Sequence, residues 1–221
     1  MATTLPMFPL STVLFPGASV PLRIFEDRYT ALVRELLDVA DPADRVFGSV
    51  AIREGYEVGD HGAQSLFRLG VRLQLTQHEA HEDGTFDIVA VVRDRIRLNR
   101  LTPTDTYPVG EVEDVPETGA PVDDEVAIVA RGMFTAYRHQ VGQFATDPHP
   151  GTLPRDPGYL SWALAAAVPL PMPERQALLE NDDATDRLTR LTTLLRSELR
   201  ALNVIPSLPA TDVARNRFSP N

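Results

Sequence analysis

The chain has 221 residues, and its 21 basic residues are all arginines, while lysine and cysteine are absent. Walker-type phosphate binding and Schiff-base chemistry, which need a lysine, are therefore excluded, as are cysteine nucleophiles, disulfides and thiolate metal sites. The net charge of −10 disfavours binding to phosphate backbones and to anionic membranes. A hydrophobic content of 43% predicts a globular fold, and because residues 1–10 lack a secretory signal we expect a cytoplasmic location.

The first part of the chain is predicted to contain extended segments followed by one helix. Residues 5–10 and 13–17 are short apolar pieces interrupted by proline, which suits edge strands and loops, and residues 18–25 form a further extended segment. From Glu26 the apolar residues recur at helical spacing as far as Ala40, with acidic residues at the start where they favour the helix dipole. This helix must pack its apolar stripe on the strands.

Strand-like runs follow the helix. They lie at residues 45–53, 70–79, 85–93, 95–101 and 109–115. Asp83-Gly84, between two of these runs, predicts a hairpin turn because glycine tolerates a positive φ. Several short strands about one helix indicate a closed or nearly closed β-structure, since closure removes exposed sheet edges.

A change of composition divides the chain. Residues 111–125 contain seven acidic residues, two prolines and no arginine, which is typical of a solvated connection. Four helices are predicted after this segment, over residues 126–141, 157–168, 174–180 and 184–202. The second of them begins at Pro157 and has Asp156 as its N-cap. Residues 169–173 are expected to be a loop. The predicted organisation is a β-rich subdomain at 1–115, an acidic linker at 116–122, a helical subdomain at 123–203 and a proline-containing tail at 204–221.

Six short motifs occur in a recognisable order. They are LPMFPL at residues 5–10, VLFPG at 13–17, PLRIFEDRY at 21–29, FG at 47–48, LPMP at 170–173 and QALLE at 176–180. Together they resemble the N-terminal, or substrate-binding, domain family of Lon proteases, over the chain up to about residue 202. The resemblance implies an α+β fold, in which a PUA-like β pseudo-barrel wraps around one helix and is followed by a helical subdomain of about four helices.

The resemblance also implies a function. Members of the family bind protein or peptide segments and have no assigned reaction, so we expect a non-catalytic recognition module without cofactor or metal. In full-length Lon proteases this domain precedes an ATPase module and a serine–lysine protease module, and neither is encoded in a chain without lysine. The chain is identified as a stand-alone bacterial member, for which a protease or ATPase would have to be supplied by another chain.

Seven residues of the motifs are candidates for peptide contacts, namely Phe8, Phe15, Arg23, Phe25, Glu26, Arg28 and Tyr29. Each also has a structural interpretation. The charged residues at the strand-to-helix junction are expected to form ion pairs and a helix cap, and the aromatic residues are expected to lie in the core or to anchor loops. Joint exposure of several of them would instead indicate an interaction site.

The most basic stretch, residues 93–100, suggests an RNA-binding module as an alternative. PUA-like folds include RNA binders, and Arg93, Arg95 and Arg97 would project from one face of a strand, with Arg100 close by. Pairing with some of the 31 acidic residues is the preferred interpretation, because no aromatic residues alternate with the arginines to stack on bases. Nucleic acid is therefore not the expected partner.

A hydrolase with a carboxylate or histidine site is the second alternative. His78 and His81 are one residue too close for the histidine pair of a zincin, and no serine lies in a Gly-x-Ser-x-Gly motif. The sequence therefore predicts no catalytic residue and no metal ligand, although it cannot show which carboxylates meet in a pocket.

Overall fold

The computed structural model describes residues 3–53, 66–143, 145, 149 and 151–204. The chain forms two compact units, Met1–Pro116 and Glu117–Asn221. The first contains all the described strands and one α-helix, and the second contains helices, so the predicted α+β class with a helical C-terminal part is confirmed. Among the helices in the described ranges, none combines the length and the apolar character that a membrane span requires.

The first unit is built on an antiparallel sheet of six strands. They are β1 (Thr3–Pro6), β2 (Ser19–Ile24), β3 (Val46–Ser49), β4 (Leu69–Ala80), β5 (Phe86–Thr102) and β6 (Val109–Asp114), with helix α1 (Asp27–Asp38) after β2 and a 3₁₀ turn (Pro42–Asp44) before β3. Hydrogen-bonded neighbours follow the order β1-β6-β5-β4-β3, and β2 pairs with β5. Residues 86–91 of the long strand β5 therefore lie between β4 and β2, whereas residues 96–102 pair with β6, and of these only Ile96 and Arg97 also pair with β4.

Two of the predicted strands, at 85–93 and 95–101, are one continuous strand in the structure. The predicted break was wrong because the charged residues near Asp94 interrupt the apolar pattern without interrupting the backbone pairing. Strand β5 pairs with β4 from Phe86 opposite Ala80 to Arg97 opposite Leu69, with register shifts that absorb the irregularity. Ladder hydrogen bonds use main-chain groups, which every residue except proline supplies in full.

The predicted hairpin turn at Asp83-Gly84 is confirmed. It joins β4 to β5, with Gly84 at a φ of +83°. The backbone N–H of His81 donates to the carbonyl of Thr85 across 2.9 Å and closes the turn. This turn fixes which residues of β4 and β5 face each other.

The sheet is not closed by a continuous ladder. Its edge strands β1 and β3 are joined instead by isolated bridges in the segment after β1, from Met7 to Gly48 and from Leu10 to Ala51. Met7 has no exposed surface, and a Cβ atom at Gly48 or Gly110 would come within 2.5 or 2.7 Å of its side chain. The two glycines therefore make room for Met7 between strands β3 and β6. Met7 belongs to a hydrophobic core cluster whose other buried residues are Leu5, Val50, Leu66, Ile96, Leu98 and Val112.

Helix α1 buries most of the apolar stripe that the sequence predicts, but Leu37 is half-buried and Ala40 is exposed beyond the end of the helix at Asp38. Its buried residues are Tyr29, Thr30, Leu32, Val33 and Leu36. On the polar side of the helix, Glu35 accepts a short hydrogen bond from the phenol of Tyr107, which lies in the β5–β6 loop. Burial, reinforced by this bond and by the charge of Glu35, raises the pKa of Tyr107 to about 12. The phenol therefore stays protonated and keeps donating to Glu35 throughout the neutral range.

The second unit consists of four described helices. They are α2 (Asp124–Val141), α3 (Pro157–Ala167), α4 (Met172–Glu180) and α5 (Ala184–Val204). The predicted cap of α3 is confirmed, since the Asp156 carboxylate accepts from the backbone N–H of Tyr159 across 2.9 Å. The prediction that residues 169–173 are entirely loop was wrong, because Met172 and Pro173 form the first turn of α4. Proline is tolerated there since the N–H that it lacks has no partner in a first helical turn.

A buried arginine organises the interior of the second unit. Arg187 on α5 has no exposed surface. Its guanidinium donates to the Glu117 carboxylate across 2.7 Å, to the Ser161 hydroxyl across 2.9 Å and to the Asn181 carbonyl across 2.7 Å. The same group lies 3.3 Å from the ring centroid of Trp162. Arg187 therefore ties the segment that begins at Glu117 to α3 and α5.

Candidate functional site

The PLRIFEDRY motif at residues 21–29 runs from strand β2 into the start of helix α1. Strand β2 pairs with β5 from Ser19 opposite Val91 to Ile24 opposite Phe86. Ile24 is buried, whereas Phe25, the next residue, exposes 68% of its surface. The junction between strand and helix therefore leaves a large aromatic side chain in solvent.

Glu26 and Arg28 form an ion pair at this junction. Glu26 occupies the N-cap position of α1 without making a side-chain capping bond. Its carboxylate accepts instead from Nε and Nη2 of Arg28, across 2.9 and 2.5 Å. The guanidinium of Arg28 also lies 4.7 Å from the ring centroid of Tyr29. The expected ion pair is present, and the expected helix cap is not.

Three of the four candidate aromatic residues serve the interior of the first unit. The rings of Phe8 and Tyr29 are 4.1 Å apart, and Phe8 also lies 6.4 Å from Phe47. Tyr29 and Phe15 are buried, and Phe8 is half-buried. Burial raises the pKa of Tyr29, against the lowering effect of Arg28 and with a smaller contribution from Glu26, so the phenol is neutral at physiological pH. Phe25 is therefore the candidate aromatic that a partner can reach.

A groove of about 440 Å³ lies beside the motif. It is lined by Pro21, Leu22 and Arg23 from β2, Gln77, His78 and Glu79 from β4, and Asp87, Ile88 and Val89 from β5. Phe25 follows the groove-lining residue Arg23 by two positions. We refer to this groove together with Phe25 as the signature surface.

The strand register places charged side chains of the signature surface in one row. Arg23 lies opposite Asp87, and Asp87 lies opposite Glu79. Arg23 donates to Asp87 across 3.1 Å and to the hydroxyl of Thr85 across 3.1 Å. Nε2 of His81 is 2.8 Å from the same Asp87 carboxylate. Asp87 is therefore held between two basic side chains.

The neighbouring row of the signature surface is mostly apolar. Pro21 lies opposite Val89, which lies opposite Gln77. Among the strands in the described ranges, β2 pairs only with β5, so its second edge is open. Within sheets proline is found at edges, where its missing N–H faces away from the ladder. Pro21 therefore removes a donor that an incoming strand would use, which protects the edge from self-association.

We expect the substitution Pro21→Val to promote self-association of the chain. Valine supplies a backbone N–H and a side chain with high β-propensity at an open edge. Size-exclusion chromatography with light scattering over a concentration series should show a larger dimer fraction for this variant than for the parent chain. The control Ser19→Val adds the same side chain to the same strand without adding an N–H. Equal association of both variants would contradict the role assigned to the Pro21 nitrogen.

The arginines at 93–100 do not form a continuous basic surface. Arg95 is only 3% exposed and donates to the carbonyl of Pro116 across 2.8 Å, so the expectation that it projects into solvent with Arg93 and Arg97 is wrong. Arg93 donates to the Gln74 side chain across 2.8 Å, Arg97 lies 3.2 Å from Glu113, and Arg100 lies 4.0 Å from Glu111. The sequence could not show that the segment after β6 covers Arg95.

The two histidines of the β4–β5 hairpin lie in different surroundings. His78 lines the groove, and His81 contacts Asp87. Within the part of the chain that the structure describes, no group of three or more histidine, aspartate or glutamate residues is placed to hold a metal ion. Nothing in the arrangement of the described side chains therefore favours a metal-dependent hydrolase.

Comparison with known proteins identifies the family. Residues 4–197 match the family described as the substrate-binding domain of the ATP-dependent protease La (LON). The chain belongs to this family. Among Lon relatives it is 28% identical to Lon protease 2 of Herpetosiphon aurantiacus over 210 residues, and 25% identical to Lon protease 1 of Myxococcus xanthus over 207 residues. These matches cover 92% and 91% of the chain but 25% of each relative, so the chain spans about a quarter of their length.

Solved structures of Lon N-terminal domains share the fold. The Lon N-terminal domain protein from Xanthomonas campestris matches with a TM-score of 0.63 and 27% identity, over 86% of this chain and 98% of that one. The N-terminal domain of Lon protease from the Mycobacterium avium complex matches with a TM-score of 0.59 and 18% identity, over 88% and 98% of the two chains. The second likeness, at this lower identity, concerns the fold alone.

Proposed function

We propose that this chain is a non-catalytic recognition module that binds exposed segments of polypeptide through the signature surface. Membership of a substrate-binding domain family supports binding as its role. The observation that carries the choice of surface is the exposure of Phe25, at 68%, two residues along the chain from Arg23, which lines a groove of about 440 Å³. Covering an aromatic side chain that is exposed to water lowers the free energy of the complex with the partner.

The partner in this proposal is a client protein in which apolar segments are accessible. A client bound in the groove would cover Pro21 and Val89 as well as Phe25, and apolar contacts of this kind tolerate many sequences. Any protease or ATPase that acts on the client would lie outside these 221 residues. The polar rim of Arg23, Gln77 and Glu79 would orient the client rather than react with it.

We expect Phe25→Ala to weaken binding of an unfolded client about fivefold to thirtyfold, the effect of removing an aromatic anchor from an interface. The client is a globular protein kept unfolded by cysteine alkylation and labelled with a fluorophore, and binding is followed by fluorescence anisotropy. Tyr159→Ala in the second unit is the matched control, because Tyr159 is 65% exposed and lies outside the signature surface.

Two results would contradict the proposal. One is the absence of client binding by the parent chain. The other is an effect of Phe25→Ala that does not exceed the effect of Tyr159→Ala, which would place the binding site outside the signature surface. Circular dichroism of both variants excludes unfolding as the cause, and neither change is expected to unfold the chain, since both side chains are largely exposed.

The RNA-binding alternative gains no support from the structure. Arg95 is buried, and Arg93, Arg97 and Arg100 each have a side-chain partner on the sheet. Binding RNA through this stretch would require these contacts to be exchanged for phosphate contacts. Titration with mixed RNA at two salt concentrations separates the alternatives, because phosphate-driven binding weakens steeply as salt rises.

A further inference from the structure

We propose that the signature surface selects apolar segments that carry a basic residue, and that the carboxylate of Glu79 accepts this residue. The inference rests on the proposed function and adds a chemical class to the client. It follows from the charges in the row that crosses strands β2, β5 and β4, and from the apolar row beside it.

The charged row contains one arginine and two carboxylates, so one carboxylate has no arginine of the row to pair with. Arg23, Asp87 and Glu79 lie side by side across the three strands, so two carboxylates face each other directly on β5 and β4. Like charges in opposite positions of a sheet destabilise the pair. Arg23 and His81 offset this repulsion on the side of Asp87, and a cation from a partner would offset it on the side of Glu79.

Asp87 and Glu79 differ in how they are satisfied. Asp87 is engaged by Arg23 across 3.1 Å and by His81 across 2.8 Å. Glu79 is exposed, and its side chain makes no hydrogen bond or ion pair with the residues that the structure describes. Glu79 is therefore the groove-lining carboxylate that remains available to an incoming cation.

The surroundings of Glu79 strengthen the preference for a cation. Glu82 and Asp83 lie in the adjacent hairpin turn, and hydrogen bonds from the hydroxyl and the backbone N–H of Thr85 lower the pKa of Asp83 below the ordinary value of an aspartate, which is already ionised at neutral pH. Four carboxylates, those of Glu79, Glu82, Asp83 and Asp87, stand here against two arginines. Arg23 is paired with Asp87 and lies 4.0 Å from Asp83, and the guanidinium of Arg34 lies near Gly84 of the turn. His78 in the groove lining and His81 on Asp87 are the nearby histidines. The local potential is therefore negative and favours a basic side chain over an acidic one.

The two rows also have a spacing that suits a peptide. The row of Pro21 and Val89 is two residues along the strands from the row of Asp87 and Glu79. Two residues in a strand span roughly 6.6 Å. An extended segment can therefore place an apolar side chain on Pro21 and Val89 while a lysine or arginine near it reaches Glu79.

The test compares two labelled peptides that share one apolar core and differ only in their flanks, with lysines in one and glutamates in the other. Fluorescence anisotropy at physiological salt gives the Kd of each peptide for the parent chain and for two variants. Glu79→Gln removes the proposed acceptor, and Glu82→Gln removes the same charge from the adjacent turn, outside the groove lining. The second variant controls for general attraction of a basic peptide to a chain of net charge −10.

We expect the parent chain to bind the lysine-flanked peptide more tightly than the glutamate-flanked one. Glu79→Gln should raise the Kd of the lysine-flanked peptide about twofold to fivefold, the effect of losing an exposed ion pair. Glu82→Gln should change binding of this peptide by less than half as much. Equal binding of both peptides, or equal effects of the two variants, overturns the selection of basic segments and leaves the proposed function standing. Failure of both peptides and of the unfolded client to bind overturns the proposed function itself.

Discussion

Replacing Arg187 by methionine is expected to lower the free energy of unfolding by about 2–4 kcal/mol, because buried acceptors of its guanidinium lose their donor, whereas the partly exposed Glu117 carboxylate can be solvated by water. Methionine fills part of the space of the arginine side chain but donates no hydrogen bonds. The carboxylate of Glu117, the hydroxyl of Ser161 and the carbonyl of Asn181 would each lose a donor, and Trp162 would lose the guanidinium stacked on its ring. Urea unfolding followed by tryptophan fluorescence reports the change directly, because Trp162 is the only tryptophan of the chain.

The control for this experiment is Arg190→Met on the same helix. Arg190 is exposed, so its replacement should change the free energy of unfolding by no more than about 0.5 kcal/mol. Equal urea concentrations at the midpoint of unfolding for Arg187→Met and Arg190→Met would show that the hydrogen bonds of the Arg187 guanidinium contribute nothing to stability. Retention of the parent fluorescence spectrum by Arg187→Met would show that the packing around Trp162 does not depend on the guanidinium.

Gly70→Ala is expected to destabilise the first unit by about 3 kcal/mol, at the upper end of the usual cost of overpacking. Gly70 lies on β4, where a Cβ atom would come 2.1 Å from the carbonyl oxygen of Ser49 and 2.7 Å from the side chain of Val50. The first of these neighbours is backbone, which cannot move without disturbing the pairing of β3 with β4. Amide hydrogen exchange should show faster exchange in both strands, and thermal unfolding should show a lower Tm.

Gly132→Ala makes the same chemical change where there is space for it. Gly132 lies in the middle of α2, and a Cβ atom there meets nothing within 4 Å. Alanine is the better helix former by about 0.5–1 kcal/mol, so this variant should be more stable than the parent chain. A Gly70→Ala chain as stable as Gly132→Ala would show that β3 and β4 can separate at Gly70 without cost.

The helices and the turns were the parts of the fold that the sequence predicted well. Their signals are local: apolar residues at helical spacing, the Asp156 cap before Pro157, and glycine at the positive φ of the β4–β5 turn. Such signals depend on a few neighbouring residues and on backbone geometry. The first turn of α4 was missed because three closely spaced prolines at 169, 171 and 173 favour a loop, although the last of them suits a helix start.

The candidate site was only partly predictable. The PLRIFEDRY motif drew attention to Arg23 and Phe25, but it gave no reason to prefer Phe25 over Phe8, since both are aromatic residues beside apolar ones. Exposure is decided by tertiary packing, here by the contact of Phe8 with Tyr29. Glu79 and Asp87 were missed altogether, because their role depends on strand register. The Asp83-Gly84 turn could have predicted the register of β4 and β5, since a short hairpin places the flanking residues opposite each other.

The position of Met7 between Gly48 and Gly110 has a consequence for how the first unit folds during synthesis. The segment at the N-terminus finds its partners about 40 and 100 residues later, on β3 and β6. Contacts of such long sequence separation have a high loop-closure cost and form late, so folding of this unit is expected to be slow for its size. The nascent chain cannot complete the unit until β6 has left the ribosome, and until then Leu5 and the side of Met7 that packs on Gly110 lack their partners.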